Sequence, residues 1–259
     1  MKTYHITSTF LNFQHPLLPS VPWDQFERSA SDPADGITVN WHFQGDIFNC
    51  VEFLSPAHRD HVLKNQSAVL FASRDWSEAD LYAEDYDQAA GLMILLLYSY
   101  LSTRNSLLFH SSLVDYNGNG VMFLGPSGIG KTTQAELWNK YLGADILNGD
   151  MVFVREKEGA FHGYGSPWHG SSPYCMNADV RLRALVVLTQ APENTLRRCS
   201  GLRDLQDLMQ QAFLPHWDEA GLSACLDTLD RLLEQVPAYH LACRPDEEAV
   251  LLLKNELNL

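Results

Sequence analysis

The sequence predicts an α/β protein in which a β-rich N-terminal module precedes a larger unit of mixed strands and helices. Three observations predict it. Gly125-Pro-Ser-Gly-Ile-Gly-Lys-Thr132 stands between a β-prone run and a helical one and matches the spacing GxxxxGK[ST] in full. Arg183-Ala-Leu-Val-Val-Leu-Thr189 is an unbroken apolar run, as expected of a strand covered on both faces. The first hundred residues carry mostly β-prone runs and one helical stretch. At 259 residues the chain exceeds one domain of about 100–200 residues, and the boundary falls between a module of residues 1–103 and a unit of residues 104–259.

In chain order, prolines at 16, 19, 22 and 33 keep the start irregular. Ile37 to Phe43 and Ile47 to Phe53 read as strands around a Gln44-Gly45-Asp46 turn, and 67–73 and 81–83 as further strands. The segment 85–102 has helical length and an apolar second half. Leu107 to Asp115 and Val121 to Leu124 flank an Asn-Gly turn, which predicts antiparallel neighbours. The second of these strands runs straight into the glycine-rich loop. Thr133 to Leu142 is a helix stopped by Gly143, and strands follow near Ile146 and over 151–155. Residues 161–174 (FHGYGSPWHGSSPY) read as a glycine- and aromatic-rich loop. Helices are expected over 203–214, 218–236 and 246–257, with a short strand at 239–243 after Pro237.

Composition narrows the function classes. With 18 basic against 32 acidic residues the net charge is −14, the wrong sign for nucleic acid or for an anionic membrane surface. The greasiest run, Leu92 to Leu101, is ten residues, about half of what spans a bilayer. Five scattered cysteines without CxxC spacing, and an N-terminus without a signal-peptide pattern, point to reduced thiols in a cytoplasmic protein.

The loop at 125–132 carries the sharpest chemistry. Small residues (Gly125, Pro126, Ser127, Gly128, Ile129, Gly130) let the backbone wrap so that several N–H groups converge, and the helix N-terminus adds partial positive charge there. Lys131 would reach the β- and γ-phosphates of a nucleoside triphosphate, the Thr132 hydroxyl would ligate Mg²⁺, and Thr133 opens the helix. Asp150 follows Thr132 by 18 residues, where a carboxylate can hold that metal; the alternative is a solvated loop aspartate.

A His-bearing strand (Phe109-His110-Ser111-Ser112), a turn (Asn117 to Gly120), a strand, GPSGIGKTT and the acidic loop Leu147-Asn148-Gly149-Asp150 occur in one order. In this the chain resembles the HPr kinase/phosphorylase family, with phosphoenolpyruvate carboxykinase as a more distant relative, over roughly residues 105–200. The segment VPAYHLACRPDEEAV resembles the closing segment of HPr-kinase-like proteins. The resemblance implies a PEP carboxykinase/HPr kinase-like P-loop core with a mixed β-sheet, an ATP·Mg²⁺-dependent kinase activity, and a tendency to form homo-oligomers. It places His110 facing the phosphates or the metal, where it would orient the acceptor hydroxyl, take its proton or ligate the metal; a lone strand histidine is otherwise a hydrogen-bonded core residue. The family carries two aspartates in the acidic loop. Here the aligned residues are Gly149 and Asp150, so the metal role passes to Asp150 and the base stays open.

Ser166, Trp168 and His169 in the aromatic loop, and Arg244, are candidate substrate contacts; a structural turn and surface arginines are the rival readings. Arg197 and Arg198 share that status, and His58 with His61 has the spacing of a helical metal chelate but no third ligand. The expected function is transfer of the γ-phosphoryl group of ATP to a hydroxyl acceptor, a serine of a protein or peptide, with the N-terminal module binding that acceptor. The alternatives are a small-molecule kinase with its acceptor in the 161–174 loop, and an ATP-binding sensor or scaffold without transfer. GTP or pyrophosphate in place of ATP also stays open.

Overall fold

The chain divides into two compact units, Met1–Arg104 and Asn105–Leu259, in a computed structural model that describes residues 2–14, 18–28, 36–42 and 56–259. The expected strand at 47–53, its turn at 44–46, Pro16, Pro33 and Cys50 lie outside the described residues.

In the first unit, β1 (Lys2–Ile6) and β2 (Thr9–Gln14) form an antiparallel hairpin, so the irregular start is corrected. Its turn residues Thr7 and Ser8 take φ of 51° and 57°, left-handed angles that carry no Asn-Gly signature. The short helix α1 (Ser20–Trp23) and the strand β3 (Glu27–Arg28) follow. Strand β4 (Gly36–His42) buries Ile37, Val39 and Trp41 by strict alternation and pairs in parallel with β2 on one side. Its other side pairs in parallel with β7 (Glu78–Tyr82). Strands β5 (His61–Lys64) and β6 (Val69–Ala72) complete, among the described residues, a sheet of order β3-β1-β2-β4-β7-β6-β5. Helix α2 (Tyr86–Ser102) starts where Asp85 accepts the Gln88 amide, an N-cap that meets one of the orphan donors of the first turn.

The second unit is built on β8 (Ser106–Tyr116), which serves two sets of neighbours. Its first half pairs with β11 (Met151–Lys157) and its second half with β9 (Asn119–Leu124) and β10 (Asp145–Asn148), all antiparallel. The β8–β9 connection is the two-residue Asn117-Gly118 turn, with φ of 53° and 79°. Strand β13 (Asp179–Gln190) changes partners in the same way. It begins antiparallel to β12 (Ala160–Tyr164), then runs parallel to both β9 and β16 (Ala238–Cys243), which gives a mixed sheet. The apolar run 183–189 thus sits between two parallel partners. Strand β14 (Thr195–Arg198) edges β16.

Two expectations change here. The loop expected from residue 161 starts as β12, where Gly163 lies so close to Leu113 and Leu182 that a Cβ would meet them at 2.8 and 3.1 Å. The helix expected over 203–214 is the shorter α4 (Leu202–Met209), followed by a two-residue strand β15 (Ala212–Phe213) on β8.

Helix α3 (Lys131–Leu142), capped by left-handed Gly143, and α6 (Glu247–Leu257) cover one face of this sheet. Ala135, Trp138, Val250 and Leu253 pack there with Phe123, Val186 and Leu241. Helix α5 (Glu219–Gln235) lies against β8 and β12. Among the described residues no helix is long and apolar enough to cross a membrane.

Trp138 is fully buried with its ring 6.1 Å from both Tyr116 and Phe123, so it joins α3 to the strand that feeds the loop. Trp138→Ala is expected to cost about 3–5 kcal/mol in urea unfolding, with Trp138→Phe costing less because the ring contacts survive.

Candidate functional site

The buried end of β9 passes into residues 125–130 and then into α3 without an intervening element. Gly125, Gly128 and Gly130 take φ of 143°, 78° and 113°, angles that side-chain-bearing residues rarely adopt. A Cβ at Gly128 or Gly130 would meet nothing within 4 Å, so the crest of the loop faces open space. Gly130 is the N-cap of α3 and offers no side-chain cap, leaving the first amides of the helix to a ligand. The Ser112 hydroxyl on β8 donates to the Lys131 carbonyl at 2.8 Å and fixes the start of that helix.

Lys131 is almost wholly buried, and its Nζ donates to the loop carbonyls of Gly125 (2.9 Å) and Pro126 (3.2 Å). Burial lowers its pKa from the usual value, and the charge of Asp150 works against that shift. The Thr132 hydroxyl donates to the Gly149 carbonyl at 3.3 Å. Asp150 stands across from these two residues, its Oδ1 3.0 Å from His110 Nε2. Its backbone carbonyl accepts the Ser111 amide at 2.8 Å, which ties the acidic turn to β8.

A cavity of about 390 Å³ gathers His110, Lys131, Thr132, Asp150, Glu136 and His169 on one surface. The structure therefore brings together the loop, the strand histidine, the acidic turn and one residue of the aromatic loop. It does not bring Ser166 or Trp168 there. Ser166 is fully buried and its hydroxyl donates to the Met151 carbonyl at 2.8 Å, while Trp168 is buried; neither lines the cavity. Arg244 lines a different cavity and is held by Asp246 and Glu248. Arg197 makes a bidentate pair with Asp204, and Arg198 is exposed on the edge strand β14. His58 pairs with Glu78, and His61 stacks on Trp76, on a strand rather than a helix. Among the described residues no cluster of three or more potential metal ligands forms.

Three residues were missed by sequence reasoning. Asn148 is fully buried; its Oδ1 accepts the amides of Asp150 (2.8 Å) and Met151 (2.9 Å), and its Nδ2 donates to the carbonyls of Ser166 and Trp168. One side chain thus sets both the acidic turn and the aromatic loop, and the Asn-Gly-Asp order is the signal for such an Asx turn. Glu136, four residues after Thr132 and so on the same helix face, accepts from the Tyr174 hydroxyl at 3.2 Å. Ser172 occupies the space beside Gly149: a Cβ there would fall 2.0 Å from its Oγ.

The residues present fit a polyanion with a divalent cation: uncapped helix amides, an ammonium, a hydroxyl and a carboxylate share one cavity. They also fit proton transfer, because Asp150 and His110 are within hydrogen-bond distance of each other.

The second unit is an α/β fold with a mixed sheet. No family model matches the chain, and no curated protein matches its sequence. Among solved structures it is similar to the HPr(Ser) kinase/phosphatase from Coxiella burnetii, at 11% identity and a TM-score of 0.35, over 58% of this chain and 88% of that one. At that level of likeness neither a shared core nor a shared activity follows.

The fit of Ser172 beside Gly149 makes a prediction. Gly149→Ala is expected to cost about 1–3 kcal/mol in denaturant unfolding. Adding Gly149→Ala to Ser172→Gly should cost clearly less, a coupling of about 0.5–3 kcal/mol; strictly additive losses would contradict the contact.

Proposed function

We propose that residues 105–259 bind a nucleoside triphosphate with Mg²⁺ and transfer its γ-phosphoryl group to a hydroxyl acceptor, as a PEP carboxykinase/HPr kinase-like P-loop kinase would. The observation that carries this reading is the single cavity in which an uncapped helix start, Lys131 and Thr132 face the Asp150–His110 pair. Backbone amides of 127–132 bind the phosphates, and Lys131 leaves the carbonyls of Gly125 and Pro126 to counter their charge. Thr132 and Asp150 would hold Mg²⁺, which would supply further neutralisation of phosphate charge. The proton of the acceptor hydroxyl goes to His110, which Asp150 Oδ1 holds in place through Nε2. The acceptor, a serine of a protein or peptide, approaches past His169 and Glu136, and the first unit supplies its binding surface. A cytoplasmic setting, where ATP is at hand, belongs to the same proposal.

One observation favours a second reading, an ATP-binding sensor without transfer. Position 149 has no carboxylate, and Ser172 fills the space one would need.

Label from γ-³²P-ATP is expected to appear on one protein or metabolite of a native extract and to be lost with Lys131→Ala. Asp150→Asn is expected to cut transfer by about 10²–10⁴-fold while nucleotide still binds. Nucleotide binding with no transfer across the whole extract would replace the kinase by the sensor.

A further inference from the structure

A cavity of about 360 Å³ opens at the start of β9, the end of that strand away from the phosphate loop. The Asn117-Gly118-Asn119 turn lines it together with Arg181, Arg183 and Gln235. Strand β9 leaves this turn at Asn119 and reaches the loop at Gly125, about 20 Å further along. None of the lining residues borders the cavity that holds Lys131 and Asp150.

The backbone holds these groups together. Gly120 lies so close to β13 that a Cβ there would meet the Arg181 carbonyl at 2.9 Å. One step along β9, from Gly120 to Val121, spans two along β13, from Leu182 to Ala184. Arg183 is therefore the extra residue of a bulge, a device that re-aims a side chain and is rare between parallel strands. Arg181 and Arg183 are exposed on one face of β13, while Val180 and Leu182 are buried on the other. Two guanidiniums whose Cα atoms stand about 7 Å apart along one strand repel each other. The usual compensation is missing. Of the chain's 32 acidic residues none lines the cavity. The Arg181 guanidinium has no hydrogen bond or ion pair among the described residues. Arg183 Nη2 donates to the Leu257 carbonyl at 3.2 Å, which leaves most of its donors unused. Asp179, the next residue on that face, is already taken by Lys157 (3.1 Å) and His162 (2.8 Å).

We propose that this cavity binds a small oxyanion, the phosphate or carboxylate group of a metabolite, through Arg181 and Arg183 together, at a site separate from the phosphate loop. A guanidinium presents paired N–H groups in a planar fork that matches two oxygens of either group. A second guanidinium beside the first suits a double negative charge, and the anion in turn removes the repulsion between the two. The side-chain amides of Asn117 and Gln235 supply further donors at the rim.

The test is ¹⁵N NMR of the full chain, titrated without Mg²⁺ against inorganic phosphate, succinate and, at matched ionic strength, sodium chloride. Saturating shifts are expected at the Arg181 and Arg183 side-chain Nε–H groups and at the amides of 117–119, with phosphate, succinate or both, and not with chloride. The tighter of the two probes tells a phosphate ligand from a carboxylate one. Arg181→Gln should weaken that binding by about tenfold, the loss expected for a charge-assisted hydrogen bond. It should leave the response of the phosphate-loop amides to Mg²⁺ and pyrophosphate unchanged. Arg28→Gln, an equal loss of charge on β3 of the first unit, should change nothing. Shifts that stay linear, that chloride reproduces, that survive Arg181→Gln or that Arg28→Gln weakens equally would overturn the site and leave the phosphate loop reading as it stands. Loop amides that ignore pyrophosphate while Arg181 responds to phosphate or succinate would remove the phosphate loop and keep this site.

Discussion

The handover from β9 to α3 is the constraint on which the second unit depends. β9 is buried and paired on both sides, antiparallel with β8 and parallel with β13, up to its end at Leu124. Three left-handed glycines follow, and α3 begins directly after the last of them with no side-chain cap. Ser112 on one side and Trp138 on the other anchor that start, the first by a hydrogen bond to the Lys131 carbonyl and the second by packing. With no side-chain cap at Gly130, the partial positive charge of the helix start meets no side-chain oxygen of its own cap, and Asp150 is the charge that acts on Lys131. Lys131 adds a desolvated ammonium, held meanwhile by two loop carbonyls. Such an arrangement is costly alone and becomes favourable around an anion.

The acidic side of the cavity is organised by a single buried amide. Asn148 receives two backbone N–H groups and gives its own to the segment 166–168, so Asp150 and His169 are positioned by the same residue. The price of that tight turn is the loss of room beside it: Gly149 stands against Ser172, and the site carries one carboxylate next to His110. Phosphoryl transfer needs positioning and charge stabilisation more than covalent help. A single His-Asp pair is chemically sufficient to receive a proton.

Much of this was legible in the sequence because the signals were local. The glycine spacing of 125–132, the Asn-Gly turn, the Gly143 stop and the apolar run of β13 each arise from backbone demands within a few residues. The hairpin of β1 and β2 was not legible, since Thr7 and Ser8 adopt left-handed angles without the residues that usually mark them. Strand β12 was hidden by its own glycine, which reads as loop but here admits Leu113 and Leu182 at close range. Of the candidate residues, His110, Lys131, Thr132, Asp150 and His169 meet in one cavity. Ser166 and Trp168 point inward because Asn148 and the Met151 carbonyl hold their segment down, and Arg244 lines a different cavity. The first outcome depends on pairings between residues well apart in the chain and the second on β16 lying beside β13, neither of which a short window of sequence contains.

The central claim is that the amides from Ser127 to Thr132 form an anion cradle, and backbone NMR of the ¹⁵N-labelled full chain titrated with Mg²⁺ and pyrophosphate reads it directly. Large downfield shifts confined to the amides of the loop and the first turn of α3, saturating together with a shift at Asp150, are the result this account predicts. Unmoved loop amides at saturating pyrophosphate would contradict it.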